Sequence, residues 1–400
     1  MIRNFIKSVP GGVLWLGVVS LLNDLSSEVI ARVLPLFLMS IVNTTFVGIG
    51  FVEAVSEATS ILGKLFSGYF SDKMRQRKPF IVGGYALSVI SRPLLLFTGT
   101  LAAVVSSRFL DKVGKSIRTA PRDAFIADLS DEHTRGLNFG IHRALDTVGA
   151  VLGLAGVALF LYLKPMTDNL ALWWILAFAA VAGLLSLPVL FIFIHDPPAK
   201  KTELKKNPQL SLKNLNPDLR TYLLIAFFFA LASSSDAFLV IRARELGFSL
   251  IQIFLILVAF NIVSVPSYVG LASLSDRLGR KIILILGWLI YVSSYFFFGL
   301  QGLKPTFFVI GMLFYGLYYG FTDGVEKALI ADFESGENKG QAFGWLAVVQ
   351  GVGVIPANLL FGLIYQKIGV TQAFWFSGSM ALIGVLGLSF FNPKKLLKSK

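Results

Sequence analysis

Apolar residues in this chain fall into long blocks separated by short polar stretches. The blocks cover approximately 13–39, 46–70, 80–99, 101–127, 136–163, 170–194, 219–241, 250–274, 282–302, 305–331, 341–366 and 372–391. A bilayer's hydrocarbon core takes about 20 residues of helix to cross, so each block predicts one spanning helix. The expected fold class is an all-α integral membrane protein with twelve transmembrane helices in two six-helix, pseudo-symmetric halves. Composition removes the alternative of buried core helices in a soluble protein. The chain is 55% hydrophobic and 15% charged, with a mean hydropathy of +0.72, whereas soluble domains carry about 25% charged residues.

The two halves are read from an internal repeat. Asp72 in Ser71-Asp72-Lys73 and Asp276 in Ser275-Asp276-Arg277 stand 204 residues apart, from 72 to 276. The same offset carries Ala124-Phe125-Ile126-Ala127-Asp128 onto Ala328-Leu329-Ile330-Ala331-Asp332, Arg135-Gly136 onto Lys339-Gly340, Phe139-Gly140 onto Phe343-Gly344, and Gly149 onto Gly353. Both copies run in the same direction with six spans each, the pattern of parallel repeats about an axis along the membrane normal. The expected organisation is a half over 1–194, a linker over 195–218 that opens His195-Asp196-Pro197-Pro198 and continues Lys-rich, and a half over 219–400.

The formal charge of +13 raises nucleic acid as a partner, because clustered Lys and Arg track phosphates. Their distribution speaks against it. Arg3, Lys7, Lys73, Arg75, Arg77, Lys78, Lys200, Lys201, Lys205, Lys206, Lys213, Arg277, Arg280, Lys281, Lys394, Lys395, Lys398 and Lys400 fall on one side of the expected spans. The other side holds Lys164, Arg242, Arg244, Lys304 and Lys367. Basic residues accumulate on the cytoplasmic side of membrane proteins, so both termini are expected in the cytoplasm and the protein in a bacterial plasma (inner) membrane. The first apolar block lacks a small-residue cleavage site after it and reads as a retained helix. Without cysteine there is no disulfide or thiolate metal site. Three histidines leave little for a metal centre. No nucleophile elbow or phosphate loop is present either, so no enzyme activity, cofactor or metal is expected.

The paired loops carry a resemblance. Gly68-Tyr69-Phe70-Ser71-Asp72-Lys73-Met74-Arg75-Gln76-Arg77-Lys78 and Ala272-Ser273-Leu274-Ser275-Asp276-Arg277-Leu278-Gly279-Arg280-Lys281 resemble the Gly-x-x-x-Asp-Arg/Lys-x-Gly-Arg-Arg/Lys loop of the major facilitator superfamily. The first copy lacks the inner glycine, the second the outer one. Arg108 and Gly114 resemble the pattern of that family's fourth helix. Gly149, Gly153 and Gly156 resemble the glycine-rich fifth helix of its proton-driven drug exporters, which carry a proline where Leu154 stands. The resemblance implies an alternating-access transporter, working as a monomer in the lipid bilayer on a small molecule and protons. It also implies a gating role, favouring the outward-facing state, for Gly68, Asp72, Arg77, Asp128, Arg135, Asp276, Arg280 and Asp332.

Charged residues inside spans are costly unless they face a cavity or a partner. The fourth span carries Arg108, Asp111, Lys115, Arg118 and Arg122 at spacings of three and four, which put all five on one helical face. That face must turn inward. The repeat offset gives Met312, Tyr315, Tyr319, Thr322 and Glu326 in the tenth span, so a cationic wall in one half answers an aromatic, hydroxyl-bearing one in the other. Counting rise per residue, Asp24, Arg118, Asp146, Asp323 and Gln350 fall near the midplane, where transporters of this kind bind substrate. Candidate substrate or coupling residues are therefore Asp24, Glu28, Arg118, Arg122, His142, Asp146, Tyr315, Tyr319, Asp323 and Glu326. Glu28 has Arg32 one turn on as a partner. Arg118 and Asp146 are open to two readings, an ion pair between the fourth and fifth spans or separate functional groups. Proton-coupled export of amphipathic compounds is the leading expectation, from the glycine-rich fifth span and the aromatic wall. The alternative is an organic anion, such as a polycarboxylate or metal chelate, because the arginine fork suits carboxylates.

Overall fold

A computed structural model describes residues 9–74, 77–97, 99–130, 135–194, 212, 215–333 and 339–393. Most of the linker expected over 195–218 lies outside these residues, as do both terminal basic clusters. The described residues are helical and contain no strand. Among the described residues, seven helical segments are long and apolar enough to cross a membrane, by length and composition. By contact, the chain divides into two compact units, Met1–Thr44 with Thr59–Lys205, and Thr45–Ala58 with Lys206–Lys400.

The first unit contains α1 (Gly11–Ser40), most of α2 (Phe46–Met74), α3 (Lys78–Ser91) with a 3-10 turn over Arg92–Phe97, α4 (Leu101–Asp128), α5 (Arg135–Leu163), α6 (Asp168–Leu184) and α7 (Ser186–Phe193). α1 lies along α5 and α6, while α3 packs on α4. Apolar residues of α1, α3, α4 and α7 close one core, with Val13, Leu16, Ile81, Phe125 and Leu190 fully buried. The contact between α1 and α5 is one of backbone against backbone. A β-carbon on Gly149 would run into the carbonyl of Leu21, and one on Gly153 into that of Leu25. The glycine-rich fifth helix thus has a packing cause: it lets the backbones of α1 and α5 approach closely.

The second unit contains α8 (Pro217–Ala230), α9 (Ala237–Glu245), α10 (Leu250–Leu278), α11 (Arg280–Phe298), α12 (Pro305–Phe333), α13 (Lys339–Lys367) and α14 (Val370–Phe390), with the first part of α2. Local signals explain several ends. Asn216 caps α8, its side chain accepting from Asp218 N at 2.9 Å, and Pro217 fits the first helical position. Ser249 and Gln252 form a capping box at α10. Gly279, the inner glycine kept in the second loop copy, has φ +94°, which turns the chain from α10 into α11 without steric penalty. α12 packs on α10 and α11, α11 on α14, and α8 on α13 and α14. The block expected as one helix over 219–241 is instead two, α8 and α9, separated at Leu231–Asp236. The cause is polar: Ser233-Ser234-Ser235-Asp236 offers the backbone competing side-chain partners.

Replacing Gly153 by Val should lower the thermal unfolding midpoint of the protein in detergent, the overpacking costing about 1–3 kcal/mol. Gly83→Ala is the control, because a β-carbon there meets nothing within 4 Å. Tryptophan fluorescence on heating checks this; equal losses for both variants would contradict the close α1–α5 contact.

Candidate functional site

In the first unit α4 buries three of the five charges that the spacing places on one face, while Lys115 is exposed and Arg122 half-buried. Arg108, Asp111 and Arg118 are buried. Asp111 lies between two guanidiniums. Arg92, from the 3-10 turn, reaches its Oδ1 from Nη2 at 3.3 Å, and Arg108 reaches Oδ2 at 3.5 Å. Arg92 also donates from Nη2 to Asn23 Oδ1 at 2.8 Å and from Nη1 to the Asn23 carbonyl at 3.3 Å. One arginine thereby ties α1, α3 and α4 together. Neither Arg92 nor Asn23 stands out in the sequence; Arg92 beside Pro93 at the end of an apolar block is the one available signal.

Arg118 is held differently. Its Nη1 donates to Ser88 Oγ at 2.8 Å, and Ser88 in turn donates to the Asp111 carbonyl at 2.8 Å. The guanidinium lies over the Tyr85 ring, 4.1 Å from its centroid, an attraction of about 0.5–2 kcal/mol. A β-carbon on Gly84 would stand 2.7 Å from Arg118 Cβ, so the bare backbone there makes the room. No carboxylate pairs with Arg118 among the described residues. Lys115, three residues back, is exposed although it sits midway along α4, and it too has no ion-pair partner among the described residues. Arg122 pairs with the adjacent Asp123 at 3.0 Å.

Of the two readings open for Arg118 and Asp146, the ion pair is not formed. Asp146 faces His142 on its own helix, Nδ1 to Oδ2 3.6 Å. Both side chains are buried, and His142 Nε2 and Asp146 Oδ1 have no hydrogen-bond partner. Asp24 accepts at Oδ1 from Asn23 Nδ2 at 2.9 Å and Ser27 Oγ at 3.2 Å. Glu28 meets Arg32 at 3.8 Å.

The second unit places acids among hydroxyls instead of cations. Tyr315 and Tyr319 of α12 both donate to Asp236, at 3.2 Å and at 3.0–3.1 Å. Glu326, farther along the same face, accepts from Tyr222 at 2.6 Å and Gln350 at 2.8 Å. Asp323 is half-exposed and pairs with Lys327 at 2.8 Å. Several groups at the break between α8 and α9 find protein partners. The Ala232 carbonyl accepts from Tyr291 at 2.7 Å and from Ser377. Ser234 meets Tyr295 at 3.0 Å. Ser235 donates from its N–H to Asn358 Oδ1 at 2.8 Å and from its hydroxyl to Glu53 at 3.0 Å. Such breaks survive at membrane depth only where protein groups replace the lost helical bonds. Sequence reasoning missed Asp236. The polar run Ser233–Asp236 inside an apolar block was the signal for it.

Four of the residues expected at the gating loops form two ion pairs at helix ends: Arg77 with Asp128 at 3.4 Å, and Arg280 with Asp332 at 2.6 Å. Gly68 lies within α2, but its surroundings and the side chains of Asp72, Arg135 and Asp276 are outside those described.

Comparison with known proteins bears on the same residues. A sequence model of the Major Facilitator Superfamily matches residues 16–241 and 221–400. An uncharacterised MFS-type transporter of Methanocaldococcus jannaschii is 34% identical over 398 residues, covering 96% of each chain. The fosmidomycin resistance protein of Escherichia coli is 26% identical over 282 residues, 67% of this chain and 66% of that one. Among solved structures, a nucleoside transporter, NupG (D323A mutant), superposes with a TM-score of 0.80 at 14% identity, covering 95% of this chain and 100% of that one.

Breaking the Asp111 cluster should be far costlier than breaking a loop pair. Asp111→Leu strands two buried guanidiniums, a loss of about 3–5 kcal/mol, whereas Asp128→Asn removes a half-exposed pair worth under about 1 kcal/mol. The yield of monodisperse protein and its unfolding midpoint measure both; comparable losses would refute the ranking.

Proposed function

The chain belongs to the Major Facilitator Superfamily, a family of membrane transporters, and on that premise we propose that it moves a small organic anion by alternating access, driven by protons. One observation carries the choice of substrate. Lys115 and Arg118 share a face of α4 and neither is neutralised by a carboxylate among the described residues. An unpaired guanidinium inside a membrane protein is expensive, and this one is held in a fixed attitude by Ser88 and Tyr85. Its remaining N–H groups form the fork that matches carboxylate, phosphate or phosphonate oxygens. Lys115 adds a mobile second charge. Binding an anion therefore supplies the counter-charge that the protein itself withholds.

Asp146 is the group we assign to the proton. It is buried, no Lys or Arg pairs with it, and its Oδ1 has no partner. His142 stands beside it as a second acceptor or donor. Glu326 is the corresponding candidate in the second unit, held by neutral donors alone. The loop pairs Arg77–Asp128 and Arg280–Asp332 serve gating. The asymmetry of basic residues supports a plasma-membrane location with both termini cytoplasmic.

Export of amphipathic compounds is the second reading. It is favoured by the aromatic wall of the second unit, where Tyr315, Tyr318 and Tyr319 cluster with Phe260, and by the resistance protein among the relatives. The glycine-rich helix no longer argues for it, because packing on α1 accounts for Gly149 and Gly153.

Flux driven by a pH gradient into proteoliposomes separates the readings. Organic anions should accumulate, and Arg118→Gln should cut their uptake by about tenfold or more, the loss of a charge-assisted hydrogen bond. If cationic amphiphiles move and anions do not, the anion reading is wrong. Asp146→Asn should leave anion exchange intact while abolishing accumulation in response to the gradient; retained accumulation would free Asp146 of the proton role.

A further inference from the structure

The first unit offers a ligand more than positive charge. Asp24, half-buried on α1, takes both of its hydrogen bonds at Oδ1, and both come from neutral, local donors, Asn23 and Ser27. Its other oxygen receives no hydrogen bond, and the carboxylate has no ion-pair partner among the described residues. The cations around it are committed or held off. Arg92 is spent on Asn23 and Asp111. Lys115 lies on the same side of α4 as Arg118 and forms no ion pair with Asp24 or Glu28 among the described residues. Glu28 is engaged with Arg32.

Tyr85 links Arg118 to the helix that carries Asp24. Arg118 lies on the Tyr85 ring, the Tyr85 hydroxyl donates to Ser20 Oγ at 3.3 Å, and Ser20 precedes Asp24 by one turn of α1. Two helices therefore hold unpaired groups of opposite sign, Lys115 and Arg118 on α4 and Asp24 on α1, within one unit. Lysine's flexible stem could close such a gap. A protein that needed only a structural ion pair would have formed it.

We propose that the transported anion is dipolar: a small zwitterion whose carboxylate or phosphonate group meets Arg118 and Lys115 and whose protonated amine meets Asp24. This rests on the anion-transport reading and narrows it. A ligand of that kind neutralises both unpaired partners at once, which a plain anion does not. It leaves Asp146 to carry the proton.

The test uses the purified full chain, by thermal shift and by counterflow in proteoliposomes. The probes are β-alanine, 4-aminobutyrate, 5-aminovalerate and 6-aminohexanoate, set against propionate, butyrate, valerate and hexanoate. Each amino acid should compete more strongly than the plain acid of equal length, by about tenfold at the best length. Asp24→Asn should remove that advantage, so that amino acids and plain acids of equal length compete equally, and Arg118→Gln should weaken both series. Should Asp24→Asn not fold, Asp24→Glu must move the best length down by a methylene. If plain and amino acids compete equally in the parent, or if Asp24→Asn weakens both alike, the dipolar ligand is ruled out and anion transport stands. If neither series competes and cationic amphiphiles do, the anion reading fails and this inference with it.

Discussion

Asp111 sits between the guanidiniums of Arg92 and Arg108, and much of the first unit follows from that arrangement. A buried carboxylate is tolerable only when cations and hydrogen-bond donors surround it. Arg92 can reach it only if the 3-10 turn after α3 lies against both α1 and α4, where it also meets Asn23. The cluster fixes the rotation of α4 about its axis. Once Asp111 faces inward, the helical period carries Lys115 and Arg118 onto the same side. The positions of the unpaired cations are thus set by a residue that is itself fully paired.

The units solve the problem of polar groups in a low-dielectric interior by different means. In the first, arginines meet a carboxylate, a serine and an aromatic ring. In the second, tyrosines carry the polar contacts: Tyr222 on Glu326, Tyr315 and Tyr319 on Asp236, Tyr291 and Tyr295 on the broken backbone. A buried phenol brings a large apolar ring and one hydroxyl that needs a partner. Stacked rings such as Tyr291 on Tyr295, with centroids 4.1 Å apart, fill the interior while their hydroxyls satisfy the break between α8 and α9. Neutral donors hold an acid without cancelling its charge, whereas in the first unit Arg92 and Arg108 are neutralised by Asp111 and Arg118 is held by a hydroxyl and a ring without a carboxylate among the described residues.

The helical spans, and the side of α4 that buries Arg108, Asp111 and Arg118, were legible in the amino-acid sequence, because each depends on short-range periodicity. Hydropathy marks a helix, and spacings of three and four place Arg108 through Arg122 on one face. Glu28 with Arg32 was readable for the same reason. Tertiary structure decided which charges pair. Arg118 and Asp146 sit at similar depth, yet Arg118 goes to Ser88 and Tyr85 and Asp146 to His142, since partner choice depends on how far two helices approach and how each is rotated. Those quantities come from contacts distant in sequence, such as Gly149 and Gly153 against the backbone of α1. The break before Asp236 was decided in the same way: an apolar block with four polar residues can stay helical or open, and only the tyrosines, Ser377, Asn358 and Glu53 brought to it by the fold make the open form affordable.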